Sequence, residues 1–345
     1  MQSVPGRIRL SPLAHVVTCC IFATLIAACT GPDGGLAPSV DPRLSKSADQ
    51  SPDGKLVFHS TRDGDFDVYA MNADGSTQTR LTSSADHDIG PVWSPSGKQI
   101  AFNRFPADFS GCEVFIMNAD GTGVRQLTSG GGYQFGGIWS PDGKQIAFAS
   151  ARDGADDVYI INVDGSGLRR LTTNAYVRDV TAWSPDGKQI AFIGYRDYVE
   201  EAVGDFEIYA VNVNDGTAIT KLTDNLVDDD GIRSGWSPNG KLFTFSSRRD
   251  GGDLDIFFMN ADGSNVRQVT GVGGDAADDD APYWSPDGKN LSFHSTRDGD
   301  QEVYTARLDG SDVRQLTFNV GADDAVATWV KGRVRAAQGD DNEDD

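Results

Sequence analysis

Short apolar runs alternate with turn-forming residues along most of this chain. Residues 145–150 read Gln-Ile-Ala-Phe-Ala-Ser, and residues 157–162 read Asp-Val-Tyr-Ile-Ile-Asn. A Ser-Pro-Asp-Gly segment at 140–143 precedes the first run, and Asp164-Gly165 follows the second. Proline presets the first corner of a turn, and Asp-Gly favours a tight hairpin with positive φ. The pattern therefore predicts consecutive antiparallel strands joined by hairpins.

The same arrangement repeats at a nearly constant spacing. Variants of Trp-Ser-Pro-Asp-Gly-Lys recur with their serines at positions 51, 94, 140, 184, 237 and 285. Each unit closes on Arg-Leu-Thr or a near variant, with the threonines at positions 82, 128, 172, 223, 270 and 317. Four short strands in a unit of ~45 residues are typical of a propeller blade. We therefore predict an all-β, six-bladed β-propeller over residues 46–332.

Ring closure is also predictable. The first copy carries Gln50 in place of tryptophan, whereas a spare Trp329 lies near the C-terminus. The distance from Thr317 to Trp329 nearly matches that from Thr82 to the tryptophan of the second copy. We expect the C-terminal strand to complete the first blade beside residues 55–60, and the tryptophans to fill the core between blades.

The N-terminal segment predicts export and lipidation. Arg7 and Arg9 precede an apolar run over 13–28 that ends in Leu-Ile-Ala-Ala-Cys, which resembles a bacterial lipobox. We expect a signal peptide over 1–29, acylation of Cys29 and a flexible tether over 30–45. A signal peptide cut elsewhere and an uncleaved anchor are the alternatives. Thr30, where an aspartate marks inner-membrane retention, favours the periplasmic side of the outer membrane.

Charge narrows the choice of partner. The formal net charge is −21, which repels nucleic acid, and residues 333–345 form an acidic tail that we expect to be disordered. Many acids fall in the loops after the second and fourth strands, which leave an antiparallel blade at the same end. One face of the disc should therefore be acidic. The candidate partner-binding residues are Asp86, Asp88, Asp228, Asp229, Asp230, Asp278, Asp279, Asp280, Asp323 and Asp324.

Several interpretations of this face remain open. Aspartate is common in turns, so these acids can be solvated turn residues with no binding role. Clusters of carboxylate oxygens are also typical calcium ligands, so a bound calcium ion is a second interpretation. Arg62, Arg152, Arg248 and Arg297 recur beside acids, and we expect them to form local pairs. His59, His87 and His294 are candidate ligands of a transition metal, because the first and last blades adjoin in a closed ring.

The combined motifs resemble the TolB-type β-propeller repeat. The resemblance runs through Trp-Ser-Pro-Asp-Gly-Lys-x-Ile-Ala-Phe, Arg-Asp-Gly, Val-Tyr-x-x-Asn-x-Asp-Gly and Arg-x-Leu-Thr. It implies a monomeric, non-enzymatic scaffold of the cell envelope that presents its acidic face to a protein or glycan. The repeat is also similar to peptidase propellers, but the chain contains no Gly-x-Ser-x-Gly elbow. Oligogalacturonate lyases build a metal site in a similar propeller, so a metal-dependent lyase or hydrolase is the alternative.

Overall fold

The computed structural model describes residues 54–130, 132–195, 206–225, 227–250, 252–272 and 276–332, with the backbone alone for 230–234. The predicted signal peptide, Cys29, the tether and the acidic tail lie outside these residues. Within the described segments, none of the secondary structure is a helix long and apolar enough to cross a membrane.

The described strands form six sheets of four strands each. Blade 1 contains β24 (Asp324–Val330), β1 (Lys55–Ser60), β2 (Asp67–Asn72) and β3 (Thr79–Arg80). Blade 2 contains β4 (His87–Trp93), β5 (Gln99–Phe105), β6 (Glu113–Asn118) and β7 (Arg125–Gln126). Blade 3 contains β8 (Gln134–Trp139), β9 (Gln145–Ser150), β10 (Asp157–Asn162) and β11 (Arg169–Arg170).

The remaining blades follow the same order along the chain. Blade 4 contains β12 (Val177–Trp183), β13 (Gln189–Gly194), β14 (Glu207–Asn212) and β15 (Ile219–Lys221). Blade 5 contains β16 (Asp229–Trp236), β17 (Leu242–Ser247), β18 (Asp255–Asn260) and β19 (Arg267–Gln268). Blade 6 contains β20 (Asp279–Trp284), β21 (Asn290–Ser295), β22 (Glu302–Arg307) and β23 (Arg314–Gln315). The prediction of an all-β, six-bladed propeller is confirmed.

The ring closes where the sequence predicts. Strand β24 pairs antiparallel with β1, and Trp329 lies opposite Leu56 in the register. Blade 1 therefore takes its inner strand from the C-terminal end of the propeller and its other strands from the N-terminal end. This pairing covers the edge of β1 that would otherwise expose unpaired backbone groups.

Tryptophans at the ends of the inner strands pack in the core, and three of them hydrogen-bond to the blade before their own. All six are buried, and the indole N–H of Trp139 donates to the carbonyl of Val92 at 3.1 Å. Trp183 donates to Ile138 at 3.1 Å, and Trp284 donates to Gly235 at 3.0 Å. Each of these three rings buries a large apolar surface while its N–H group finds a partner across the blade boundary. The indole nitrogens of Trp93 and Trp329 are buried without a hydrogen-bond partner. The predicted core role of the tryptophans is confirmed.

The Arg-Leu-Thr endings and Asp-Gly turns are also explained by packing. The Thr82 hydroxyl accepts the N–H of Val68 at 2.9 Å and donates to the buried Asp67 carboxylate at 3.1 Å. Gly121, with φ of +84°, lies against the preceding blade, where an added Cβ would approach the Leu81 carbonyl oxygen to 2.5 Å. Glycine is required there by both its backbone conformation and the close approach.

Candidate functional site

The two classes of acidic loop meet at one end of the propeller, which we call the loop face. It carries the connections between the second and third strands of each blade and between successive blades. Ser60, at the end of β1, pairs with Asp67 on one side and Asp324 on the other. The opposite end, here the turn face, carries the hairpins that end in Lys55, Lys98, Lys144, Lys188, Lys241 and Lys289. The loop face is therefore the acidic one.

Buried carboxylates on this face are neutralised by arginines of their own blades. The Arg62 guanidinium lies 2.7 Å from Asp324, and that of Arg297 lies 2.8 Å from Asp279. The Arg297 side chain also lies over the Phe293 ring at 5.7 Å. Arginine suits such a place because its planar group accepts ring stacking and carboxylate hydrogen bonds together. The arrangement repeats at Arg104 with Asp88 and at Arg249 with Asp229, both at 2.6 Å.

Four of the candidate partner-binding acids are consequently part of the fold. Asp88, Asp229, Asp279 and Asp324 are buried and ion-paired, so their carboxylates are not available to a partner. Burial raises the pKa of Asp279, and the hydrogen bonds from Ser295 and Arg297 oppose that shift. The sequence indicates this structural role, because an arginine and an acid recur at the same two positions from blade to blade.

The predicted local arginine pairs are confirmed for Arg62 and Arg297, with two differences in detail. Arg152 donates to the side-chain oxygen of Gln134 at 2.7 Å, because glutamine replaces the aspartate in blade 3. Arg248 pairs with Asp278 of the next blade at 3.0 Å, while its neighbour Arg249 takes the position within blade 5. Arg249, rather than the predicted Arg248, is therefore the blade 5 counterpart of Arg62 and Arg297, as the shared Ser-x-Arg-Asp spacing indicates.

A second set of candidate acids retains exposure to solvent. Asp228 is exposed, and Asp86, Asp278, Asp280 and Asp323 are half-buried. Asp228 accepts the N–H of Phe206 at 2.8 Å, and Asp278 accepts that of Leu254 at 2.8 Å. These contacts orient each carboxylate at a boundary between blades and leave part of it open. The side chain of Asp230 lies outside the described residues.

Exposed apolar side chains accompany these acids on the loop face. Phe318 is 70% exposed and Val320 is 100% exposed, both between blade 6 and blade 1. Val272 and Tyr176 are exposed in the equivalent connections after blades 5 and 3. Sequence reasoning missed this group, since single apolar residues in loops carry no periodic signal.

The three histidines are placed in different surroundings. His59 is buried and accepts the N–H of Gly90 at 3.3 Å, while His87 accepts that of Phe66 at 3.4 Å. The Phe66 ring contacts both histidines, with centroids 5.4 Å and 5.8 Å away. His294 is buried, and burial lowers its pKa. Among the described residues, no histidine belongs to a group of three ligands whose donor atoms lie within 4.8 Å of one another.

Two acids at the start of the third strands, Asp67 and Asp255, have a raised pKa. Burial raises the pKa of Asp67 to about 6, against the hydrogen bond from Thr82 and the charge of Arg80. Burial, reinforced by Asp250, raises the pKa of Asp255 to about 7. Arg80 opposes the shift in blade 1, whereas the neutral Gln268 stands at the equivalent position of the fourth strand in blade 5.

The turn face opens into a central cavity of about 500 Å³. Tryptophan and proline rings of the repeated turns line it, together with Tyr283, Thr181 and Lys331. No histidine or carboxylate is among its lining residues in the described part of the chain. The cavity lining is therefore mainly apolar, with Thr181, Tyr283 and Lys331 among its polar groups.

The fold and its two faces define a β-propeller that displays loops around a closed disc. Family models agree with this class: the TolB beta propeller domain matches residues 232–334, and the Tricorn protease N-terminal beta propeller domain matches residues 109–226. The chain is accordingly a β-propeller protein that resembles TolB in its last third and the tricorn propeller in its middle third.

Individual proteins show the same likeness. TolB from Acinetobacter baumannii superposes with a TM-score of 0.67 and 20% identity, over 80% of this chain and 66% of that one. A TolB candidate from Agrobacterium tumefaciens gives 0.59 and 22%, over 81% and 99%. The uncharacterized protein Atu1656 of Agrobacterium fabrum (strain C58 / ATCC 33970) is 44% identical over 54 residues. That match spans 15% of this chain and 18% of that protein.

Proposed function

We propose that this protein is a non-enzymatic binding scaffold of the cell envelope whose loop face holds a protein segment carrying both basic and apolar residues. The observation that carries the proposal is the exposure of Phe318 and Val320 on the acidic end of the disc. Large exposed apolar residues beside charge are the usual composition of a protein-binding patch.

The chemistry of the face indicates its partner. Half-exposed carboxylates such as Asp278 and Asp323 attract a basic segment and orient it during encounter. Phe318 and Val320 then supply apolar area that a complementary side chain would bury. A glycan finds no hydrogen-bonding group on aliphatic Val320, so the face favours a protein over a glycan.

Within the described residues, neither the histidines nor the lining of the central cavity favours the lyase or hydrolase alternative. His59 and His87 each accept a backbone N–H and are separated by Phe66. The central cavity is lined mainly by rings and aliphatic groups, with no histidine or carboxylate among the described lining residues. A reaction in the channel needs acids, bases or metal ligands that converge there, and we therefore propose binding rather than catalysis.

The envelope location rests on the N-terminal sequence and on the likeness to TolB propellers. We propose that Cys29 carries the lipid that holds the propeller at the membrane, on the periplasmic side. Metabolic labelling with an alkyne fatty acid should tag the wild-type chain and a Cys112→Ala control. Cys29→Ala should lose the tag and leave the membrane fraction, whereas retention of both would contradict the anchor.

The partner is best captured by a photo-cross-linking residue introduced at a single position in the full chain. Val320 on the loop face is the test position, and Val266 on the turn face, 38% exposed, is the control. We expect irradiation of cells to give protein adducts from position 320 and none from position 266. Equal adducts from both positions, or adducts from position 266 alone, would refute the proposed binding face.

A further inference from the structure

Three carboxylates of the loop face converge in blade 6, and none of them is among the candidate partner-binding acids. Asp298, Asp300 and Glu302 each place one oxygen within 4.8 Å of the others. They occupy the connection between β21 and β22 and the first residue of β22. Within the described residues, this is the one group of three acids, histidines or cysteines that meets that distance. Three negative charges this close repel one another strongly unless a cation or a proton intervenes.

Blade 1 contains the same three positions together with a built-in cation. Asp63, Asp65 and Asp67 have the spacing of the blade 6 acids. The Arg80 guanidinium lies 3.3 Å from Asp63 and 3.9 Å from Asp65, and it also pairs with Asp67. Arginine therefore supplies the positive charge that this cluster requires.

Blade 6 lacks that arginine. Arg80 lies opposite Tyr69 in the register of blade 1, and Gln315 lies opposite Tyr304 in blade 6. The Gln315 amide donates a hydrogen bond to Asp298 but carries no charge. The repeat thus provides an internal comparison in which two clusters of the same charge differ in their counter-charge.

Glu302 supplies a second, independent indication of a missing ligand. The residue is 1% exposed, and its Oε2 atom has no hydrogen-bond partner. Its other oxygen accepts the N–H of Asn319. The Oδ1 atom of the buried Asp324 also has no partner. A buried carboxylate oxygen without a donor costs free energy that a bound cation would recover.

We propose that Asp298, Asp300 and Glu302 bind one calcium ion in blade 6, in the place that Arg80 fills in blade 1. Oxygen ligands from several carboxylates in a loop are the set that calcium prefers. Zinc and copper favour nitrogen and sulfur ligands, which this cluster does not offer. This inference goes beyond partner binding and does not depend on it.

Calorimetric titration of the full chain, stripped with a chelator and held in detergent, tests the site with calcium chloride as the probe. We expect one calcium ion per chain and a rise in the melting temperature of roughly 5 °C at ~100-fold excess over Kd. Asp298→Asn should weaken calcium binding at least tenfold, because it removes a ligand. Gln315→Arg should weaken it to a similar extent, because the new guanidinium occupies the place of the ion. Absence of calcium binding by the wild-type chain would overturn the proposal.

The matched control is Gln126→Arg, which makes the same change at the equivalent position of blade 2, opposite Phe115. This variant should bind calcium like the wild type. Gln315→Arg installs a residue that blades 1 and 3 already carry at this position, as Arg80 and Arg170, so we expect it to fold. Unchanged calcium binding by both Gln315→Arg and Asp298→Asn would place the ion elsewhere and refute the site.

Discussion

Four buried carboxylates at the loop face each pair with an arginine of the same blade: Asp88, Asp229, Asp279 and Asp324. Asp279 is fully buried, and both of its oxygens accept from Arg297, at 2.8 Å and 2.9 Å. Removal of one partner from such a pair leaves an uncompensated charge in a site of low polarity, which costs more than the pair itself contributes. The arginines recognised in the sequence thus act on the stability of the blades.

The effect of this pairing is measurable by substitution. Arg297→Ala should lower the free energy of unfolding by about 3–5 kcal/mol, because Asp279 remains buried without its partner. Lys289→Ala removes an exposed cation of the turn face, and its effect should stay within ~0.5 kcal/mol. Urea unfolding of the three proteins is the measurement. A loss below about 1 kcal/mol for Arg297→Ala would contradict the assigned role.

At the residue scale, the sequence predicted which segments are acidic but not which of their acids are buried and which are exposed. The same aspartate-rich segments supply the buried Asp279 and the half-buried Asp278, and alternation along a strand separates them. To know which of the two faces inward, one must know the residue at which β20 begins. Strand ends are the feature that a sequence predicts least well. Phe318 and Val320 could not be recognised, because their exposure depends on the path of one loop.

At the scale of the element, each blade places an acid at the start of its third strand, and the blades differ in the group that neutralises this acid. The third strand begins with an acid that is tied to the threonine of Arg-Leu-Thr, as in Asp255 with Thr270 at 3.1 Å. Blade 1 adds Arg80 beside this position, whereas blade 5 has Gln268. The sequence repeat predicted these strands and hairpins, while the charge balance of each blade required the register between its third and fourth strands.

The raised pKa of Asp255 should make the stability of the fold depend on pH. Burial raises the pKa of Asp255 to about 7, so the folded state binds its proton more tightly than the unfolded state does. The stabilisation is complete below the ordinary pKa of aspartate and is lost as the pH rises through about 7. In the presence of a chelator, the melting temperature should therefore fall between pH 5 and pH 8.

Asp255→Asn should flatten this fall, because asparagine carries no titratable proton. Asp262→Asn is the control: hydrogen bonds from Ser264 lower the pKa of Asp262, so it stays ionised throughout this range. Melting curves recorded at half-unit pH intervals compare the three proteins. An equally steep fall in Asp255→Asn would show that another group controls the dependence.

At the scale of the whole molecule, six similar repeats and one displaced tryptophan were enough to predict a closed ring. Trp329 lies opposite Leu56, as its spacing from Thr317 indicates. The orientation of every loop follows from that closure, and with it the separation of an acidic loop face from a lysine-bearing turn face. The identity of the partner does not follow, because fold alone does not specify what a surface binds.

The central claim is that the exposed part of the loop face binds a basic, apolar protein segment. The most direct measurement is the yield of adducts from a photo-cross-linker at Val320 when Asp228, Asp278 and Asp280 are changed to Asn. The control changes Asp142, Asp186 and Asp287 of the turn face to Asn, which the fifth repeat already carries as Asn239. Our account predicts loss of the adduct in the first variant and its retention in the second. Equal yields from both variants would contradict it.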